Sequence, residues 1–139
     1  MKYFIITCSI LIASLAISAQ RTSVFPAPIG FINDYENDFT PDQVKQLDYA
    51  VKELLAKTMS VDSLKGMELA VVTVTDKMYG DETEIGSYVT RLGDKWGVSS
   101  RGENRAIIIA YGKKIRKVTI ITGSGLDNIL PASVCHKIV

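Results

Sequence analysis

GENRAIIIAYGKKIRKVTIITGSGLD, residues 102–127, is the stretch whose reading decides the fold. Two apolar runs, 105–111 and 115–122, flank Gly112-Lys113-Lys114, and so short a Gly-containing connection between β-branched runs reads as a hairpin. A hairpin reverses the chain, so the loop entering its first strand and the loop leaving its second lie at one end of the sheet. Those loops are Gly102-Glu103-Asn104 and Gly123-Ser124-Gly125-Leu126-Asp127. A carboxylate, an amide and a second carboxylate are thereby gathered beside two glycines. Glu103, Asn104 and Asp127 form the first candidate site.

Upstream, residues 83–96 place Ile85, Val89, Leu92 and Trp96 at helical spacing, and Gly97 stops the helix. Before it, 67–75 is β-branched and apolar on both faces, which predicts a central strand covered by helices on either side. The intervening 76–82 reads as a polar loop. A strand joined through a helix to the next strand predicts a parallel βαβ unit, to which the hairpin adds an antiparallel strand. Thr40-Pro41-Asp42-Gln43 predicts another helix start: Thr40 caps, Pro41 takes the first helical position, Gln43 completes a capping box and Phe39 is the staple. Val44, Leu47, Val51, Leu54 and Leu55 continue it as one stripe to about Thr58, before a connecting loop at 59–66. Pro26 and Pro28 predict an extended run across the domain surface, and Pro131 opens a third helix. The fold class is α/β: a single α/β/α sandwich with a mixed sheet of at least three strands. Val139 reads as a truncated end.

The chain has 139 residues, and its first 19 read as a secretory signal peptide: Lys2, an apolar run over 4–17, then small residues at Ser18 and Ala19. That run is short for a membrane span, so cleavage leaves a secreted or periplasmic protein that is not integral to the membrane. A tether follows over 20–27, then one domain over 28–139. Without Lys2 the basic and acidic residues balance, which gives no nucleic-acid footprint. Asp34, Glu36, Asp38 and Asp42 form an acidic patch, while from Arg101 onward seven basic residues face two acidic ones. Cys135 is the one cysteine left after the leader, so no internal disulfide forms, and it reads as core. His136 is the only histidine, and adjacent helical residues diverge by about 100°, so neither a Cys/His dyad, a Ser-His-Asp triad nor a His-rich zinc site is available.

The order of motifs resembles the TPM-domain family of thylakoid lumenal and bacterial envelope proteins. The matching stretches are Pro28-Ile29-Gly30-Phe31-Ile32-Asn33-Asp34, Phe39-Thr40-Pro41-Asp42, the strand around Val71, Tyr88-Val89-Thr90-Arg91-Leu92 with Trp96-Gly97-Val98, Gly102-Glu103-Asn104, and Gly123-Ser124-Gly125-Leu126-Asp127 with Leu130-Pro131. The resemblance implies an α/β/α sandwich, calcium binding, an acid phosphatase activity as in plant relatives, and auxiliary roles on membrane complexes. Here Glu103-Asn104-Arg105 stands where the family usually has Asp-Asn-Gly, and Asp127 where it usually has Glu.

Calcium takes about six to eight oxygen ligands, and Glu103, Asn104 and Asp127 offer oxygens with no soft ligand competing. Calcium or magnesium is therefore the expected metal class, and the resemblance puts calcium first, with magnesium the alternative. Asp34 and Asp38, with Asp76 and Asp81, make a possible second acidic site, because a helix antiparallel to the central strand starts at the opposite end of the sheet from the hairpin loops. Two functions remain open. One is a calcium-binding module docking on an envelope partner; the other is a metal-assisted phosphatase acting on phosphate monoesters. In the second, Arg101 or Arg105 holds the phosphate and Ser124 contacts it. No catalytic acid, base or nucleophile stands out, so the binding module is preferred.

Overall fold

The computed structural model of the protein describes residues 23–61, 66–80, 84–98 and 104–139. The leader, Asp81, Arg101 and Glu103 lie outside the described residues. The sheet has four strands in the order β1 (Ile32–Asn33), β2 (Glu68–Thr73), β3 (Ala106–Gly112), β4 (Lys117–Thr122). β1 runs parallel to β2 with Ile32 opposite Val71, and β2 runs parallel to β3 from Glu68 opposite Ala106 to Thr73 opposite Tyr111. The expected hairpin closes the sheet, with β4 antiparallel to β3 and Gly112 opposite Lys117.

Several boundaries differ from the expectation for local reasons. The hairpin turn is Lys113-Lys114-Ile115-Arg116 rather than Gly112-Lys113-Lys114, because Gly112 pairs and Arg116 takes the left-handed conformation with φ 53°. Residues 76–82 are not all loop. Thr75 accepts from the Met78 N–H through its side chain and starts a one-turn helix, α2 (Asp76–Tyr79), which buries Met78 and Tyr79. The loop after β4 also winds, into a 3₁₀ turn at Ser124–Leu126 that buries Leu126 completely.

Helix α1 (Pro41–Val61) begins with the expected capping box. The Thr40 N–H donates to Gln43 Oε1 at 2.8 Å, and the Gln43 N–H donates to Thr40 Oγ1 at 3.3 Å. Helix α3 (Ile85–Trp96) ends at Gly97, whose φ of 66° is left-handed. There Gly97 N–H bonds Asp94 O and Val98 N–H bonds Gly93 O, so the last carbonyls are satisfied in a Schellman arrangement. Helix α4 (Ala132–Ile138) packs against β4 and buries Cys135, as the sequence suggests.

Cross-strand partners share a face of a sheet, so the register divides the core in two. Val72, Ile108, Ala110 and Ile121 face α3 and pack with Tyr88, Val89 and Leu92. Ile32, Val71, Leu69 and Ile109 face α1 and pack with Val44, Leu47 and Val51. A Cβ at Gly93 would stand 2.6 Å from Ile108 Cδ1, so the glycine lets α3 sit close on the sheet. The result is the expected α/β/α sandwich.

The extended run at 23–29 lies across α3, held by aromatic side chains that are apolar in body and polar at the tip. Tyr88 Oη donates to Val24 O at 2.7 Å, Trp96 Nε1 to Pro26 O at 2.7 Å, and Tyr35 Oη to Ala27 O at 2.6 Å. Phe25 stacks on Tyr88 with ring centroids 5.3 Å apart, and the Arg91 guanidinium lies over its ring. Prolines supply no N–H, so this strap is fixed largely through its carbonyls.

Candidate functional site

At the amino end of the parallel strands the two loops gathered by the hairpin do meet. Asn104, in the left-handed conformation with φ 54°, donates from Nδ2 to Ser124 Oγ at 3.3 Å and accepts from the Gly125 N–H at 3.1 Å. A Cβ at Gly123 would collide with the Asn104 carbonyl and side-chain oxygen, so this close approach requires glycine. Asn104 Oδ1 and Arg105 Nε are buried without a hydrogen-bond partner. Asp127 is exposed at the end of the 3₁₀ turn. The cavity beside Asn104 and Gly123 holds only about 100 Å³ and has Val98, Ala106, Ile108 and Ile121 among its walls.

The carboxyl ends of β1, β2 and β3 carry a different arrangement. In open α/β sheets this is the edge where ligands generally bind. Asp34, just after β1, accepts from the Asp38 N–H and Thr73 Oγ1 through Oδ1, both at 3.0 Å, and from the Phe39 N–H through Oδ2 at 2.9 Å. Both its oxygens are engaged in folding the loop between β1 and α1 around Asn37, which has φ 54°. Buried Thr73 also accepts the Glu36 N–H at 3.0 Å. Local chemistry of the loop thus fixes where Glu36 and Asp38 stand.

Those two carboxylates line a cavity of about 510 Å³ with Tyr35, Thr75, Asp76, Lys77, Lys113 and Lys114. The Glu36 side chain is only 5% exposed, and that of Asp38 12%. Glu36 Oε1 and Oε2 and Asp38 Oδ2 are buried with no hydrogen-bond partner. Burying a carboxylate without a donor is costly, and the cations that answer it come from the β3–β4 turn. Lys113 Nζ lies 3.1 Å from Asp38 Oδ1, and Lys114 Nζ 3.7 Å from Glu36 Oε1. The hydrogen bond from Lys113 to Asp38, with that carboxylate's charge, raises the Lys113 ammonium above its usual pKa.

Of the second acidic set, Asp38 and Asp76 therefore share one cavity, while Asp34 organises its floor without lining it. Sequence reasoning placed Glu36 in the acidic patch but not in the site. The signal available was its spacing two residues from both Asp34 and Asp38. Its ion-pair partner, Lys114, stands on the β3–β4 turn, far away in sequence. Among the described residues no three Asp, Glu, His or Cys side chains are grouped so as to hold a metal ion by themselves. An ion in this cavity would complete its shell with hydroxyl or carbonyl oxygens and water, as calcium does readily.

Fold and cavity together define an α/β/α domain with a carboxylate-walled crevice at the carboxyl ends of its parallel strands. The chain belongs to the TPM domain family, whose family model matches residues 32–139. Its fold is similar to the N-terminal domain of a protein from P. gingivalis, solved by solution NMR, at 21% identity and a TM-score of 0.63. That likeness covers 78% of this chain and 62% of the other, so the chain spans less than two thirds of the neighbour's length. No curated protein matches the chain.

Proposed function

We propose that this TPM domain is an exported module that binds one divalent cation, calcium foremost, in the crevice walled by Glu36 and Asp38, and acts as an auxiliary on an envelope partner. The observation that carries the reading is the trio of buried, hydrogen-bond-free oxygens on Glu36 and Asp38. Carboxylates built into a wall in this way favour a cation strongly, because they are already desolvated and held in place. Glu103, Asn104 and Asp127 are the competing position for the ion, supported among the described residues by the single orphaned Asn104 Oδ1. The export rests on the leader at 1–19 read from the sequence.

Calorimetric titration with calcium chloride tests the reading and locates the site. Glu36→Gln with Asp38→Asn is expected to abolish saturable binding and Asp127→Ala to leave it. The reverse pattern moves the ion to the amino end, and no binding by the folded protein overturns the reading.

A second function is favoured by the lysines. Lys77, Lys113 and Lys114 line the same cavity as the carboxylates, so ammonium groups freed from the carboxylates by a bound ion would be at hand for a phosphoryl group beside it. The matching family model carries the word phosphatase in its name, which points the same way. Calcium-dependent hydrolysis of a simple phosphate monoester, lost in Glu36→Gln/Asp38→Asn, would establish a phosphatase. Calcium binding without turnover would leave the binding module.

A further inference from the structure

We propose that Lys113 and Lys114 are tethered counter-cations of the crevice, displaced by the entering divalent ion, so that the β3–β4 turn is the part of the fold that responds to it. The inference rests on the reading of the crevice as a cation site.

The two sides of the contact differ in kind. Glu36 and Asp38 are fixed in the wall, at 5% and 12% side-chain exposure, whereas Lys114 and Lys113 are 73% and 66% exposed on flexible stems. The 3.7 Å separation of Lys114 from Glu36 exceeds the roughly 2.7–2.9 Å of a charge-assisted hydrogen bond, so the ammonium screens the carboxylate without satisfying it. Glu36 Oε1 and Oε2 remain free to coordinate. A divalent ion brings twice the charge and takes several oxygens at about 2.3–2.6 Å, which a single ammonium cannot match. Two ammonium groups and such an ion cannot share the same carboxylates without strong repulsion.

The turn is built for side-chain release without refolding. Ile115 packs against the α3-side core, and its Cγ1 and Cδ1 occupy the space above Gly112. The Arg116 N–H closes the turn on the Lys113 carbonyl at 3.2 Å. The backbone therefore stays, while the lysine stems are free to swing outward.

Calorimetric titration of calcium chloride into Lys113→Met/Lys114→Met tests the exchange, with Lys113→Arg/Lys114→Arg retaining the charges. Lys52→Met, on α1 and paired with Asp48, controls for a loss of net charge away from the crevice. Removing both competitors is expected to tighten calcium binding about fivefold, given the modest strength of exposed ion pairs. The arginine pair should stay near the parent affinity, and Lys52→Met should not change it. In the parent, calcium should also shift and sharpen the ε-methylene NMR signals of Lys113 and Lys114 but not that of Lys52. Unchanged or weaker binding by the methionine pair, with a parent that does bind calcium, overturns the exchange and leaves the cation site standing. Absence of binding in every variant overturns both.

Discussion

At the scale of single residues, polar side chains inside the domain divide into those that are satisfied and those that are not. Asn33 is fully buried and uses all its capacity. Its Oδ1 accepts from the Ile29 and Gly30 N–H groups at 2.7 and 3.3 Å, and its Nδ2 donates to Gly30 O and Val71 O at 2.9 and 3.3 Å. Asn33→Leu would strand those backbone groups, and a loss of about 2–4 kcal/mol in urea unfolding is expected. Glu36 is the opposite case, a buried carboxylate with two oxygens unmatched. Removing its charge and that of Asp38 should leave the calcium-free protein at least as stable as the parent, because two buried carboxylates answered only by exposed lysines are neutralised with little change of shape. Equal or higher melting temperature in chelator checks this, and a large fall would mean that the lysine pairs hold the loop together.

Among the elements, those with a strong local signature were legible in the sequence and the short ones were not. The capping box at Thr40 and the Gly97 stop act within one turn, so residue spacing alone revealed them. Gly97→Ala forces a Cβ into a left-handed backbone, with an expected cost of about 1 kcal/mol in chemical denaturation. In contrast β1 has two residues and α2 four, too few to show any period. Both exist because neighbours complete them: Val71 pairs β1, and the core receives Met78 and Tyr79. The strap was legible from Pro26 and Pro28, but its aromatic clamps were not, since they come from α3 and the loop after β1. Burial raises the Tyr88 phenol well above its ordinary pKa, with nearby Tyr35 adding to the effect, and burial raises Tyr35 as well. A phenol whose pKa is higher folded than unfolded contributes stability that is full below its ordinary value of 10.0 and declines as the pH climbs toward the folded value. Melting temperature should therefore be insensitive to these groups below that pH and fall above it. Tyr88→Phe should flatten the alkaline fall, and an unchanged slope would exclude Tyr88 as its source.

Over the whole molecule, the hairpin reading gave the right topology and directed attention to one end of the sheet. The same topology places the carboxyl ends of three parallel strands at the other end, and there the buried carboxylates stand. Pairing directions were legible because apolar periodicity and a short turn determine them. Which end carries buried acids was not, because the contacts that meet there, Lys113 with Asp38 and Lys114 with Glu36, join parts of the chain far apart in sequence. The most direct test of the cation site is the melting temperature of the protein in chelator and in saturating calcium, beside Glu36→Gln/Asp38→Asn. At a concentration about a hundred times Kd, a ligand held only by the folded state adds about 2.7 kcal/mol, a rise on the order of 10 °C for a domain of this size. That rise is expected in the parent and not in the double variant; the same rise in both, or none in the parent, contradicts the cation site.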